Sequence, residues 1–141
     1  MRWLALDVGS RRVGVAVCDT GESVSTPLAA LAYSGPEALA ATAADLVRSW
    51  EADGVVVGVP VTRAGAGRGE ARVAAVVAAL ARRVGVPVET VDESGTTAAA
   101  RSQLAEAGVP RRRWPELVDS VAARLILDAH LANRRRRASG R

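Results

Sequence analysis

The sequence predicts an α/β domain: a mixed five-stranded sheet, an antiparallel meander followed by βαβ units, with helices on both faces. Three observations carry this. The first thirty residues read as strand-like runs separated by short turns. From Gly35 onward the period changes, and helical stretches alternate with short apolar runs. The length, 141 residues, is that of one domain.

Trp3 to Val8 reads as a strand, and Arg12 to Cys18 as a second, with Gly9-Ser10-Arg11 as the turn between them. Val24 to Leu31 reads as a third, where Pro27 implies an edge position or a bulge. Gly35-Pro36 opens a helix with Pro at its first position, and Leu39, Leu46, Val47 and Trp50 share one face. Gly54 to Val59 is an apolar run typical of a buried parallel strand. A glycine-rich loop, Pro60 to Gly69, leads to a helix with Val73, Val76, Val77, Leu80 and Val84 inward. Val86 to Val91 is the fifth strand. Thr96 or Thr97 caps the next helix, which ends near Gly108. Pro115 opens the last helix, with Val118, Val121, Ala122, Leu125, Ile126 and Ala129 on its buried face. Residues 1–133 form the domain, and 134–141 are expected to be a basic tail without regular structure.

Composition narrows the chemistry. All 19 basic residues are Arg, so no mechanism that needs a Schiff-base or P-loop lysine is available. One cysteine, Cys18, excludes an internal disulfide, and together with the sole histidine, His130, cannot build a zinc site. Cys18 reads as an inert strand residue and His130 as solvent-facing. No apolar run approaches the length of a membrane span and no signal peptide opens the chain, so the expected location is the cytoplasm. The net charge of +4 is uneven: nine Arg against Glu116, Asp119 and Asp128 between Arg111 and Arg141 give +6. A basic end on a near-neutral body points to a polyanionic partner or to a solubilising tail.

Three acidic positions stand out. Asp7 falls where the first strand's apolar run ends, among Leu4, Leu6 and Val8, where a charge is costly unless compensated. Asp92 and Glu93 follow the fifth strand, at the sheet end where α/β folds bind ligands. Asp119 borders the apolar stripe of the last helix. Each has an ordinary structural explanation: a turn-capping Asp before Gly9, a solvated pair, an acid in a helix's first turn. Together they have another. If the first strand is central, Asp7 and Glu93 come from adjacent strand ends and the final helix adds Asp119. Three converging carboxylates repel one another unless a divalent cation neutralises them, and all-oxygen ligands favour Mg2+ or Mn2+. Two such ions about 4 Å apart suit phosphodiester hydrolysis.

Four ordered motifs resemble the YqgF family, also called RuvX, of Holliday junction resolvases that are also implicated in processing the small-subunit ribosomal RNA precursor. They are Leu6-Asp7-Val8-Gly9-Ser10-Arg11-Arg12-Val13-Gly14-Val15-Ala16, then Gly58-Val59-Pro60 with its glycine-containing loop. Asp92-Glu93 with Thr96-Thr97 and Arg101-Ser102 follows, then Val118-Asp119-Ser120-Val121-Ala122-Ala123 with Leu125-Ile126-Leu127. The resemblance spans residues 1 to 133. It implies a ribonuclease-H-like fold and a metal-binding acidic triad that falls on Asp7, Glu93 and Asp119. Ser94-Gly95 stands where the family usually has Arg-Leu, and Arg11 where it often has Lys; either basic residue can meet a phosphate. Arg11, Arg12 and Arg101 of these motifs are thereby candidate nucleic-acid contacts.

Further contacts are expected outside the motifs. The loop around Gly65-Ala66-Gly67-Arg68-Gly69 lacks the Lys and Ser/Thr of a P-loop, which leaves Arg63 and Arg68 as candidate phosphate contacts. Arg111-Arg112-Arg113-Trp114, just before the Asp119 helix, combines charge with an aromatic and could grip a strand; alternatively Trp114 packs down. The expected function is a metal-dependent endonuclease acting on branched DNA or on ribosomal RNA precursor. A junction's two-fold symmetry would call for a homodimer. Two alternatives stay open: a nucleic-acid-binding module without catalysis, and an actin-like or sugar-kinase-type nucleotide-binding domain. The second is disfavoured because such enzymes enclose a nucleotide between two domains.

Overall fold

A sheet with Asp7 on its central strand organises the molecule. The computed structural model describes residues 1–60, 67–93 and 95–140, and only the backbone of Arg68. The strands are β1 (Trp3–Val8), β2 (Arg12–Cys18), β3 (Ser25–Ala32), β4 (Gly54–Pro60) and β5 (Val88–Glu93). The helices are α1 (Pro36–Trp50), α2 (Arg68–Arg83), α3 (Thr96–Glu106) and α4 (Trp114–Ser139), with a 3-10 turn at Arg111–Arg113. The sheet order is β3-β2-β1-β4-β5. β1 pairs antiparallel with β2 and β2 with β3, whereas β4 runs parallel to both β1 and β5. Pro27 lies on the edge strand β3, in regular register with Ala16, so the edge position is the alternative met; the β2–β3 register shift falls beyond it, between the Val13–Leu31 and Val15–Leu28 pairs.

Alternation along the strands divides the core in two. Leu4, Leu6 and Val8 join Val13, Val15, Val17, Val55 and Val57 beneath α1 and α2. Trp3 and Ala5 join Ala16, Cys18, Val56 and Val91 beneath Ala123, Ile126, Leu127 and Leu131 of α4. α3 then packs on α4 through Ala100, Leu104, Val118 and Ala122. Cys18 is buried, as a strand residue should be. Among the described residues no helix is long and apolar enough to cross a membrane.

Several expectations need correction. α1 buries Leu39, Ala40, Ala43, Ala44 and Val47, while Trp50 at its last turn is exposed. β5 continues through Glu93, which pairs with Pro60, so Asp92 and Glu93 belong to the strand rather than following it. Gly95, in the left-handed region at φ 71°, occupies the cap position of α3, and neither Thr96 nor Thr97 makes a side-chain cap. α2 starts at Arg68, two residues earlier than the Pro60–Gly69 loop allowed. Residues 134–139 are not a disordered tail but the end of α4.

His130 is buried, not solvent-facing, and Ala129 is exposed. The reason is that α4 has two partners. Val118 and Ala122 face α3, whereas Ala123, Ile126, Leu127, His130 and Leu131 face the sheet at helical spacing. The His130 ring meets Trp3 edge-on, with centroids 4.3 Å apart. Burial pushes the His130 pKa down, keeping the ring neutral. Arg134, one turn on, stacks 5.0 Å above the Trp3 ring and pairs with Glu22 at 2.7 Å, which fixes the end of the helix.

Candidate active site

Asp7 shares the α4 side of β1 with Trp3 and Ala5, since side chains two apart point the same way. Its register partner on β2 is Gly14. A Cβ at Gly14 would stand 1.8 Å from the backbone oxygen of Asp119, so only a bare backbone lets α4 lie this close to the sheet. Ser120, the next residue, donates from Oγ to the Leu28 carbonyl at 2.5 Å, beside the β2–β3 irregularity. The helix is thus pinned to β3 one residue from its acid.

Glu93 arrives from the other side. It ends β5 opposite Pro60, and its Cγ lies 3.1 Å from where a Cβ on Gly58 would stand. Thr96 donates its hydroxyl to Glu93 Oε2. Asp92 is exposed, and alternation puts it on the opposite side of the strand from Glu93.

The electrostatics of Asp7 reflect this gathering. Its carboxyl is pushed from the model-peptide value of 3.8 up to about 7, first by burial and then by the negative charges of Glu93 and Asp119. Asp119 is engaged elsewhere: Arg12 Nε donates to its Oδ2 at 2.7 Å. Among the described residues no group of three or more His, Cys, Asp or Glu side chains stands as a ready-made metal site. With Asp119 turned to a guanidinium and Glu93 to a hydroxyl, side-chain rotation is needed before all three carboxylates could share an ion.

Arg11 and Arg12 are exposed and, with Gly9, Ser10 and Asp119, line a polar cavity of about 320 Å³. The turn that carries them is closed by the Gly9 amide donating to the Arg12 carbonyl at 2.9 Å. Arg111, Arg112 and Arg113 are exposed at the entry to α4. Trp114 is packed down: its indole N–H donates to the Val109 carbonyl at 2.9 Å, and Arg111 covers its ring at 5.1 Å. Arg101 is exposed on α3. Arg63 lies outside the described residues, as does the side chain of Arg68.

Three residues quoted in the motifs have supporting roles that the sequence reading did not assign. Thr96 sits three positions after Glu93, a spacing that lets its hydroxyl reach back. Ser120 is a polar residue inside an apolar helical stretch. Gly14 is a glycine in a strand interior, the usual mark of a close backbone approach.

The likenesses to known proteins agree with this architecture. Two relatives are named as candidate pre-16S rRNA nucleases. That of Anaeromyxobacter sp. (strain Fw109-5) is 39% identical over 135 residues, covering 95% of this chain and 98% of its own. That of Chloroflexus aggregans is 40% identical over 133 residues, covering 94% of each. The fold is that of RuvC, ribonuclease-H-like. Thermus thermophilus RuvC superposes with a TM-score of 0.58 at 16% identity, over 96% of both chains. A fowlpox virus resolvase, solved with Holliday junction DNA, superposes with the same TM-score of 0.58 at 9% identity, over 94% of this chain and 98% of its own. The family model described as "RuvX: Holliday junction resolvase" matches residues 1–133, from β1 to the sheet-facing part of α4, and the chain belongs to that family.

Proposed function

We propose that this protein is a metal-dependent endonuclease. Its carboxylates Asp7, Glu93 and Asp119 would serve the hydrolysis of phosphodiester bonds in branched DNA, in ribosomal RNA precursor, or in both. Family membership supports the nuclease reading. The observation that carries the site assignment is the placement of Asp7, partly buried on the central strand and repelled by both Glu93 and Asp119. A divalent cation relieves that repulsion, and three carboxylates without a Cys or His partner are a donor set suited to Mg2+ or Mn2+. The residues therefore fit such ions, two of them by the chemistry of the reaction. Bound there, they would supply charge stabilisation to the attacking and departing oxygens.

The chain's own residues do the rest. Asp7 holds the fixed, central position, because its strand is hydrogen-bonded on both sides. Thr96 orients Glu93. Arg11 and Arg12 present guanidinium groups to a phosphate in the cavity beside Asp119, and Arg111, Arg112 and Arg113 extend the positive surface at the start of α4. A cytoplasmic place of action and a homodimer on a two-fold symmetric junction belong to the same proposal.

The test is cleavage of a four-way DNA junction and of a structured precursor RNA with Mg2+ or Mn2+, comparing wild type with Asp7→Asn. Cleavage by the wild type alone, abolished by a chelator, supports the reading. Equal cleavage by both proteins removes the assignment of Asp7, and binding without cleavage by either favours a non-catalytic module.

A further inference from the structure

We infer that Arg12 is a latch on Asp119, which keeps that carboxylate from a divalent cation until a nucleic-acid phosphate takes the guanidinium away. The inference rests on the metal site proposed above and adds a coupling between its two ligands.

The geometry is specific. Arg12 opens β2 directly after the tight Gly9–Arg12 turn, so its backbone is fixed by the sheet and by the turn. Its Nε alone reaches Asp119, at 2.7 Å; among the described residues its two terminal nitrogens make no further hydrogen bond. The Arg12 side chain is 52% exposed, while that of Asp119 is 24% exposed. The guanidinium therefore has one edge on the acid and its other donors open to the cavity that it lines with Gly9, Ser10, Arg11 and Asp119. A phosphate oxygen entering that cavity meets free donors in a planar fork.

The energetics suit an exchangeable contact. An ion pair this exposed is weak, so a competitor can displace it. A divalent ion at the acidic cluster needs Asp119 and repels the Arg12 cation. A phosphate diester offers Arg12 a replacement anion. Each ligand thus removes an obstacle to the other, and linkage makes the effect reciprocal. Ion loading is then favoured when substrate is seated. Arg11 is the internal control: it carries the same charge on the same cavity wall and makes no ion pair with Asp119.

The experiment measures Mn2+ binding through the loss of its free-ion electron paramagnetic resonance signal. Wild type, Arg12→Ala and Arg11→Ala are compared, each alone and with a four-way DNA junction made of hydrolysis-resistant phosphorothioate linkages. Without DNA, Arg12→Ala should bind Mn2+ about three- to fivefold more tightly than wild type, and Arg11→Ala much less so. The junction should raise Mn2+ affinity in wild type and in Arg11→Ala by a larger factor than in Arg12→Ala. Circular dichroism verifies folding, and Arg12→Gln replaces the Ala variant if that one is misfolded. Equal Mn2+ affinities for the Arg11 and Arg12 variants overturn the latch while leaving the metal site intact. Absence of Mn2+ binding in the wild type and in both variants removes both.

Discussion

The peptide oxygen of Asp119 rests against Gly14 so closely that a single methyl group there would stand 1.8 Å from it. Gly14 is the register partner of Asp7, so this contact sets how far apart the two acids are. Ala at position 14 must lift α4 from β2, because the obstacle is backbone and cannot swing aside. Gly14→Ala should cost about 3 kcal/mol, at the upper end for overpacking, and should lower kcat/KM at least tenfold. Urea unfolding and cleavage assays on the same preparation check this. A variant of unchanged stability and activity would show that α4 is not seated there.

Asp7 makes the protein less stable as the pH rises. Unfolded, its carboxyl loses its proton near 3.8; folded, it keeps it to about 7. Between those values the folded state binds more protons, so stability falls with rising pH, by up to about 4 kcal/mol across the interval. The favourable contribution is fully present below 3.8 and lost as the pH passes 7. Asp7→Asn lacks this slope, so relative to wild type it should gain stability from pH 4 to pH 8 while losing activity. Urea midpoints at several pH values read the difference, and parallel pH profiles for the two proteins contradict it.

Thr96 holds Glu93 through a hydroxyl alone. Thr96→Val keeps the shape and removes the donor, and should lower kcat about tenfold with little change in Tm. Thr96→Ser, which keeps the hydroxyl, should recover most of the rate. Failure of Ser to outperform Val would reduce Thr96 to a packing role.

Arg134 fastens the last turns of α4. It pairs with Glu22, whose carboxyl its hydrogen bond holds down to about 2, and it covers the Trp3 ring. Arg134→Ala should destabilise the protein by about 1–2 kcal/mol and speed amide exchange after Leu131, leaving residues near Asp119 protected. Unchanged exchange at the helix end contradicts this.

Much of this was legible in the residues, for identifiable reasons. The strands Trp3–Val8 and Arg12–Cys18 were bounded by a turn and by apolar alternation, and the four motifs placed Asp7, Glu93 and Asp119 in order. What escaped depended on tertiary partners. The burial of His130 follows from a helix that faces a sheet and another helix at once, so that the stripe through Val118 and Ala122 is only half of its buried surface. The helical order of residues 134–139 follows from Glu22 and Trp3, which lie more than a hundred positions away. Trp50 looked like a core residue by spacing, but as the last residue of α1 it stays exposed. The ion pair between Arg12 and Asp119 joins two motifs whose spacing says nothing of their contact.

Asp7, Glu93 and Asp119 are proposed to hold a divalent cation between them. Anomalous diffraction from crystals soaked in Mn2+ would locate that ion. A peak is expected within coordination distance of all three carboxylates, with Asp119 turned away from Arg12. A peak elsewhere on the surface, or none in crystals that contain a bound junction, would contradict it.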